Sequence, residues 1–446
     1  MTSRAGNPPS SLRISAAKLA SRARRRLLGV LLRFAGDDNS DPSSLLARFP
    51  DEALMPLRRV GLDPVPELAR KHAEGPVTRL KMPFGLRGWL VTGYEESKTI
   101  LAADHETFSN DFGNMIGKVG IAAEQDPGGL GFADPPAHTR LRHMLTAHFT
   151  TRGLAPWEPL IRQIVEDALD AVEAAAADDG VVDLQKHFAV PIPSRTIMAL
   201  IGIEDADTSE FHRLSTARFD FAGGAVGSLD VIAQAIGYLQ EIVAKQRVDG
   251  GTGLIAAILR EHGDDVGDVE LAGLIDGVLT GGFETTVSML SLGAVAMLGD
   301  PAVFESLRTD DAYAEPFVEE ALRYLTVVQV GFPRFAMRDV TVGGKTMFAG
   351  DIVVPSLAGA NRDERHVGAK PDDVDPSRAT TSHLAFGHGL HRCIGAELAR
   401  IELRMAYPAL ARRFPKMALA VPPDQLPYRK LSIIHGLEQL PVRPLG

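Results

Sequence analysis

The densest chemistry in the chain lies between His383 and Gly395, which read His-Leu-Ala-Phe-Gly-His-Gly-Leu-His-Arg-Cys-Ile-Gly. Cys393 is the one cysteine among 446 residues. It precedes a stretch of helical period through Ala396, Leu398, Ile401, Leu403 and Met405, so its sulfur is expected at a helix N-terminus. Free N–H groups and the positive end of the helix dipole lie there, and both favour a thiolate. Gly387, Gly389 and Gly395 remove side chains around that sulfur, which lets a backbone turn sharply and approach a flat ligand. Phe386 offers such a ligand an apolar face, while His391 and Arg392 bring cationic or hydrogen-bonding groups. Three chemistries compete: an inert core cysteine, a zinc site from His383, His388, His391 and Cys393, and a thiolate holding haem iron. The zinc spacing fits no usual paired-ligand pattern, and a closed structural site wants more cysteine. Glycine spacing and the helix start argue against inert core.

The pattern Phe386-Gly-x-Gly-x-His391-x-Cys393-x-Gly395 resembles the haem-binding signature of the cytochromes P-450. Six residue types at fixed offsets would arise by chance roughly once in a million chains of this length at average residue usage, so this resemblance is specific. It implies that Cys393 is the proximal ligand of a haem b iron, that His391 contacts a haem propionate, and that Phe386 and Gly395 lie at the cofactor.

Other segments extend the resemblance in the same chain order. Leu279-Thr-Gly-Gly-Phe-Glu-Thr-Thr286 interrupts a helical stretch with adjacent glycines, each costing about 1 kcal/mol relative to alanine, which invites a groove or an opened hydrogen bond. It is similar to the family's distal-helix motif, which implies that Glu284 and Thr285 form an acid–alcohol pair acting on bound O2. Read without the resemblance, Thr285 would back-bond its own helix. Glu320-Ala-Leu-Arg323 is one of five Glu-x-x-Arg pairs; the others start at Glu67, Glu210, Glu305 and Glu397. Such pairs are ordinarily solvated ion pairs on a helix face. Only the one at 320 falls in the family's order, which implies a structural network joined by Arg378. Arg334, His138 and Arg142 match propionate-binding positions. His138 and Arg142 stand four apart on one face of a helix opened by Pro135-Pro136.

These residues need elements to carry them. Alternation over 77–94 around Phe84-Gly85 predicts a hairpin. Helical period covers Leu154–Ala176, Val231–Lys245, Glu270–Met297, Pro316–Tyr324 and Cys393–Phe414, with Phe188–Leu200 broken by Pro191 and Pro193. From Val327 to Pro355 the pattern is β-like, turning at Gly343-Gly344 and Gly350-Asp351, and Tyr428–Val442 reads as a last hairpin. No Gly-x-Gly-x-x-Gly follows a strand to open a helix, so a Rossmann cofactor site has no support. The fold class is mainly α. The resemblance implies the cytochrome P-450 fold, a triangular helix-rich prism with a small β-rich region and haem between the distal long helix and the cysteine-loop helix. Gly277, Thr280, Gly281, Val327, Val328 and Ile433 are expected, by the same analogy, to line the substrate pocket. Substrate access loops would fall in Thr208–Leu229. The stretch after Arg323 lacks a proline common in the family, as does Asn361-Arg-Asp-Glu364.

Composition bounds the rest. The chain is 45% apolar and 23% charged, which excludes a disordered polymer. One cysteine excludes a disulfide scaffold. A net charge of −10 argues against nucleic acid as partner. Residues 1–36 nevertheless hold eight Lys/Arg and no acid. Residues 1–42 therefore read as a basic, partly helical extension capable of weak surface contact, and 43–446 as one catalytic domain. The apolar run Leu27–Leu32 is too short to span a bilayer, and no other transmembrane run stands out, so a cytoplasmic monomer is expected. The function implied is a haem-thiolate monooxygenase acting on a lipid, terpenoid, steroid or polyketide-like substrate. With no flavin or iron–sulfur motif, its electrons would come from a separate ferredoxin and its reductase, docking where Arg392, Arg400 and Arg404 cluster. A peroxygenase, or a non-catalytic haem-binding sensor, is the alternative.

Overall fold

A computed structural model describes residues 49–111, 129–203, 227–378 and 382–446. The basic extension over 1–42 lies outside them, as do residues 208–226 of the expected access segment. Among the described residues, two small sheets and two two-stranded hairpins, one of them pairing Arg59–Val60 with Asp63–Pro64, flank a helical body. The first sheet uses β1 (Val77–Lys81), β2 (Arg87–Val91) and β3 (Phe108–Ser109); β4 (Val182–Asp183) belongs to the second. Later in the chain come β5 (Arg334–Ala336), β6 (Val340–Val342), β7 (Lys345–Met347), β8 (Ile352–Pro355), β9 (Ala418–Leu419) and β10 (Pro441–Arg443). The first sheet runs β1-β2-β8-β5-β3, with β2 and β8 parallel and the other neighbours antiparallel. β1 and β2 form the hairpin read from the alternation at 77–94. β6 and β7 pair around Gly343-Gly344, both at positive φ.

Helices α1 (Tyr94–Ala102), α2 (Ala137–Thr146), α3 (Glu158–Asp179), α4 (Pro191–Ile201), α5 (Gly227–Asp249), α6 (Gly253–His262), α7 (Asp268–Gly299), α8 (Pro301–Thr309), α9 (Ala314–Leu325) and α10 (Ala396–Arg413) make up the body. Two readings change. Pro191 does not break a helix but opens α4, because a proline in the first turn forfeits no intrahelical bond. The terminal hairpin is reduced to a bridge between Tyr428 and Leu437, while β10 pairs with β9 and β4. Between those points the chain folds inward, Leu431 taking a left-handed φ, and Ile434 bridges Val328.

Helix α7 is apolar around its whole circumference, as a helix sheathed by others must be. By length and composition it is the one described helix able to cross a membrane, yet 72% of its apolar window is buried within the protein. Leu271, Ile275, Val287, Leu290 and Leu292 are almost fully buried, each contributing roughly 1.5–3 kcal/mol by leaving water. Close approach fixes α7 against α10. A Cβ at Gly293 would stand 2.0 Å from Tyr407 Oη, so only glycine fits. The Tyr407 hydroxyl donates to Met289 O at 2.5 Å. The later half of α10 is thereby held at a set height against α7.

Candidate active site

Cys393 lies three residues ahead of α10, and its sulfur opens into an internal cavity. Its N–H donates to Phe386 O at 2.8 Å, closing the loop on itself. One of the loop glycines, Gly389, has a different use from the one the sequence suggests. A Cβ on Gly389, at φ +71°, would meet Leu101 O at 2.5 Å and Ala102 Cα at 2.7 Å, so this glycine seats the loop on α1 instead of clearing a ligand face. A Cβ on Gly395 would touch only Cys393 Sγ, at 4.0 Å.

The thiol departs from expectation as well. Cys393 is open to the cavity but walled in from bulk water. Burial therefore raises it, opposed by the Gly395 N–H and by Arg392, Arg142 and Arg400. The helix terminus alone does not make a thiolate here; a bound cation would, since a coordinating thiol is deprotonated outright.

The cavity runs from this loop to α7. Gly277, Gly281, Thr285, Val327, Val328, Ile433, Phe386 and Gly395 are in its wall. Thr280 is not; it is buried in α7 away from that wall. The paired glycines now have distinct reasons. A Cβ on Gly281 would enter open space, whereas one on Gly282 would press on Ile197 of α4 at 3.0 Å. Thr285 Oγ1 donates to Gly281 O at 2.8 Å, the back-bonded geometry a threonine adopts in a helix. Glu284 is fully buried, absent from the cavity wall, and accepts a hydrogen bond from Arg429 Nη1 in the terminal loop. The acid and alcohol thus point to different surroundings.

A cationic nest borders the loop. His138 is fully buried, and neither ring nitrogen has a partner. Its ring lies 4.2 Å from that of His391. Burial, then His138, Arg334 and Arg142, hold His391 down at about 3. Arg334 donates to Phe332 O at 2.8 Å and to Asn110 Oδ1. Its burial lowers it to about 10, with Asp134 opposing. Asp134 is the acid acting on both His138 and Arg334, and it is already committed to Ser109 Oγ at 2.5 Å and Asn110 N at 3.1 Å. Buried imidazoles are normally hydrogen-bonded. Four cation-capable groups with one occupied acid, beside an apolar cavity holding a sulfur, fit a flat apolar group with a metal centre and anionic arms.

Glu320 and Arg323 form a buried fork, Nε to Oε2 and Nη2 to Oε1, both at 2.7 Å. Arg378 Nε joins at 3.0 Å. The arginine cluster near the cysteine is largely spent. Arg400 donates to both oxygens of Glu319 at 2.6 and 2.9 Å, and Arg404 to Glu397 at 3.0 Å, leaving Arg392 as the exposed member. Arg400 also stacks 4.7 Å from the Phe386 ring centre.

Over residues 65–221 and 229–427 the sequence matches the family described as Cytochrome P450. The chain belongs to the cytochrome P450 family. It is 39% identical over 390 residues to Cytochrome P450 165C4 of Amycolatopsis orientalis, covering 86% of this chain and 95% of that one. It is 37% identical over 384 residues to the cytochrome P450 monooxygenase PikC of Streptomyces venezuelae, covering 85% and 91%. Among solved structures it resembles OxyC, a cytochrome P450 implicated in an oxidative C–C coupling reaction during vancomycin biosynthesis. That match has a TM-score of 0.76 and 38% identity, and covers 86% of this chain and 95% of that one. This P450 is accordingly a monooxygenase, an oxidoreductase of a family that binds haem through a thiolate.

Proposed function

We propose that this P450 inserts one atom of O2 into a hydrophobic natural product, using two electrons from a separate ferredoxin and its reductase. The observation that carries the reading is His138, a fully buried ring with both nitrogens unpartnered, beside a cavity that holds the one sulfur. In this reading Cys393 is the iron ligand. His138, Arg142, Arg334 and His391 hold the propionates, and Phe386 and Gly395 bound the haem face. The haem, when bound, supplies oxygen activation, helped by electron density from the thiolate.

The chain's own residues then divide the work. Thr285, in the cavity wall, turns its O–H from Gly281 O toward the reacting oxygen. Glu284 reaches that space only when its pair with Arg429 opens. Gly277, Gly281, Val327, Val328 and Ile433 give the substrate a small-residue, aliphatic wall, which leaves room for a bulky, rigid skeleton. Glu320, Arg323 and Arg378 serve folding. The ferredoxin meets the Arg392 face, and the enzyme works as a cytoplasmic monomer whose catalytic domain is 43–446. The likeness to OxyC, implicated in a coupling reaction during vancomycin biosynthesis, weighs toward natural-product tailoring over lipid hydroxylation.

The test is a ligand panel read by the blue shift of the Soret band. Macrolactones and aromatic peptides are expected to produce it; a response confined to fatty acids would overturn the substrate class. Thr285→Ala should raise peroxide released per NAD(P)H several-fold and lower product in step, because an O–H is lost where charge develops. Unchanged coupling would remove Thr285 from the chemistry.

A further inference from the structure

Val327, Val328 and Ile433 belong to two stretches of chain that make one side of the cavity. Little backbone pairing joins the two. Gln329 N donates to Ile433 O at 3.1 Å, His435 N donates to Val327 O at 2.7 Å, and Val328 bridges Ile434. Gln329 and His435 are each 1% exposed and neither lines the cavity, so both side chains lie behind that wall. There they meet the Arg59–Pro64 hairpin. The Gln329 amide joins three pieces of chain: Nε2 donates to Leu57 O at 3.0 Å and to Ser432 O at 2.7 Å, and Oε1 accepts from Arg59 Nε at 2.8 Å. The Arg59 guanidinium goes on to Leu62 O at 3.1 Å, Leu325 O at 3.0 Å and Thr326 O at 3.1 Å. His435 Nε2 lies 2.9 Å from Gly61 O. Burial, and then Arg59, hold this imidazole down at about 3. The ring is therefore neutral, and because a carbonyl only accepts, Nε2 carries the hydrogen. The forces on the wall are opposed. Its valines and isoleucine gain by closing on an apolar hollow, and the ties at their back draw the other way.

We propose that Gln329 and His435, fastened to the Arg59–Pro64 hairpin, are positioning residues that hold this wall back from the cavity and so set how bulky a substrate it admits. The proposal rests on the cavity being the haem and substrate site. Val327, Val328 and Ile433 face the substrate; Gln329 and His435 act through them. Loss of the glutamine amide leaves Leu57 O and Ser432 O short of a donor, and the freed stretches settle inward. A large ligand then loses room, while a small one does not.

The experiment titrates the haem-loaded full chain with imidazole and with clotrimazole, an imidazole bearing three aryl rings. The red shift of the Soret band gives both affinities, and the reduced carbonyl spectrum reports haem ligation on the same samples. Gln329→Met keeps the side chain's length and removes its hydrogen bonds. It should weaken clotrimazole about tenfold, the scale of a one-methylene misfit in an apolar pocket, and leave imidazole nearly unchanged. His435→Leu should follow it, whereas His435→Gln, whose amide can still donate to Gly61 O, should stay near wild type. Arg59→Met, made outside the wall, should move the ratio of the two affinities the same way but less, because the bonds of Gln329 to Leu57 O and Ser432 O remain. A ratio equal to wild type in Gln329→Met or in His435→Leu would strike that residue from the role. An equal loss for both ligands would overturn the proposal, since it marks general damage and not pocket size. Tighter clotrimazole binding would overturn it too, by showing that the ties press the wall inward. A wild type that gives no Soret shift with imidazole, or a carbonyl adduct without thiolate character, would overturn the reading of the cavity as well.

Discussion

Cys393→Ser will yield a folded protein whose reduced carbonyl adduct has lost its thiolate band and whose turnover has fallen at least about a thousandfold, or ~4 kcal/mol of barrier. The expectation follows from what surrounds the sulfur. Burial already works against an anion there, and only the Gly395 N–H and the Arg392, Arg142 and Arg400 charges oppose it. A bound cation can tip that balance for a thiol. A serine hydroxyl is far less acidic and presents a harder, shorter-reaching atom, so the same surroundings do not yield an anionic ligand. The loop itself does not depend on sulfur. It is closed by the Cys393 N–H to Phe386 O bond and seated on α1 by Gly389, neither of which the substitution touches. Circular dichroism of the haem-free proteins should therefore superimpose, while the loaded proteins differ. A retained thiolate-type carbonyl spectrum in the serine variant would refute the assignment outright.

How much of this was legible in the sequence depends on how far each contact reaches along the chain. The cysteine loop was legible because six residue types fall within ten positions. α7 was legible because an apolar stretch of its length leaves few alternatives. The Glu284–Arg429 pair was not, since the two are 145 residues apart and nothing local to Glu284 names a partner. The partner of Arg400 was not legible for the same reason. Glu319 claims Arg400 from another helix, while Glu397, on the same helix, claims Arg404. Glu402, a carboxyl in the cavity wall, did leave a signal that went unread. It lies four residues after Leu398 and one after Ile401, on the buried stripe of an amphipathic helix, where a charged residue calls for a reason. Thr280 was misplaced by a single step along α7. Gly277, Gly281 and Thr285 share the cavity face at helical spacing, and Thr280 falls off it.

The second large effect is on folding, and the five Glu-x-x-Arg pairs supply its controls. Spacing is identical, surroundings are not. Arg70 meets Glu67 and Arg308 meets Glu305 on exposed faces, each at 2.6 Å. Arg400 hydrogen-bonds Glu319 and Glu397 takes Arg404 instead, and Glu210 lies outside the described residues. Glu320 and Arg323 are buried, and the guanidinium also donates to Asn361 O at 2.9 Å, Pro371 O at 2.8 Å and Asp373 O at 3.0 Å. Arg323→Leu leaves a buried carboxylate and three carbonyls short of donors. Breaking such a pair costs about 3–5 kcal/mol, a large part of the roughly 5–15 kcal/mol that holds a typical domain folded. Urea unfolding should show that loss, with Arg323→Lys intermediate because an ammonium cannot reproduce the fork. Arg70→Leu and Arg308→Leu should leave the midpoint where it is, as solvated pairs contribute little. The damage should also reach the cysteine loop. Asn361, whose carbonyl Arg323 holds, accepts from Leu384 N at 2.7 Å and donates to Thr326 Oγ1 at 2.8 Å, tying the start of that loop to the end of α9. Faster haem loss from Arg323→Leu than from the two surface variants, measured by transfer to an acceptor protein at a urea concentration where all remain folded, is the expected result. Equal rates would confine the network to stability and detach it from the site.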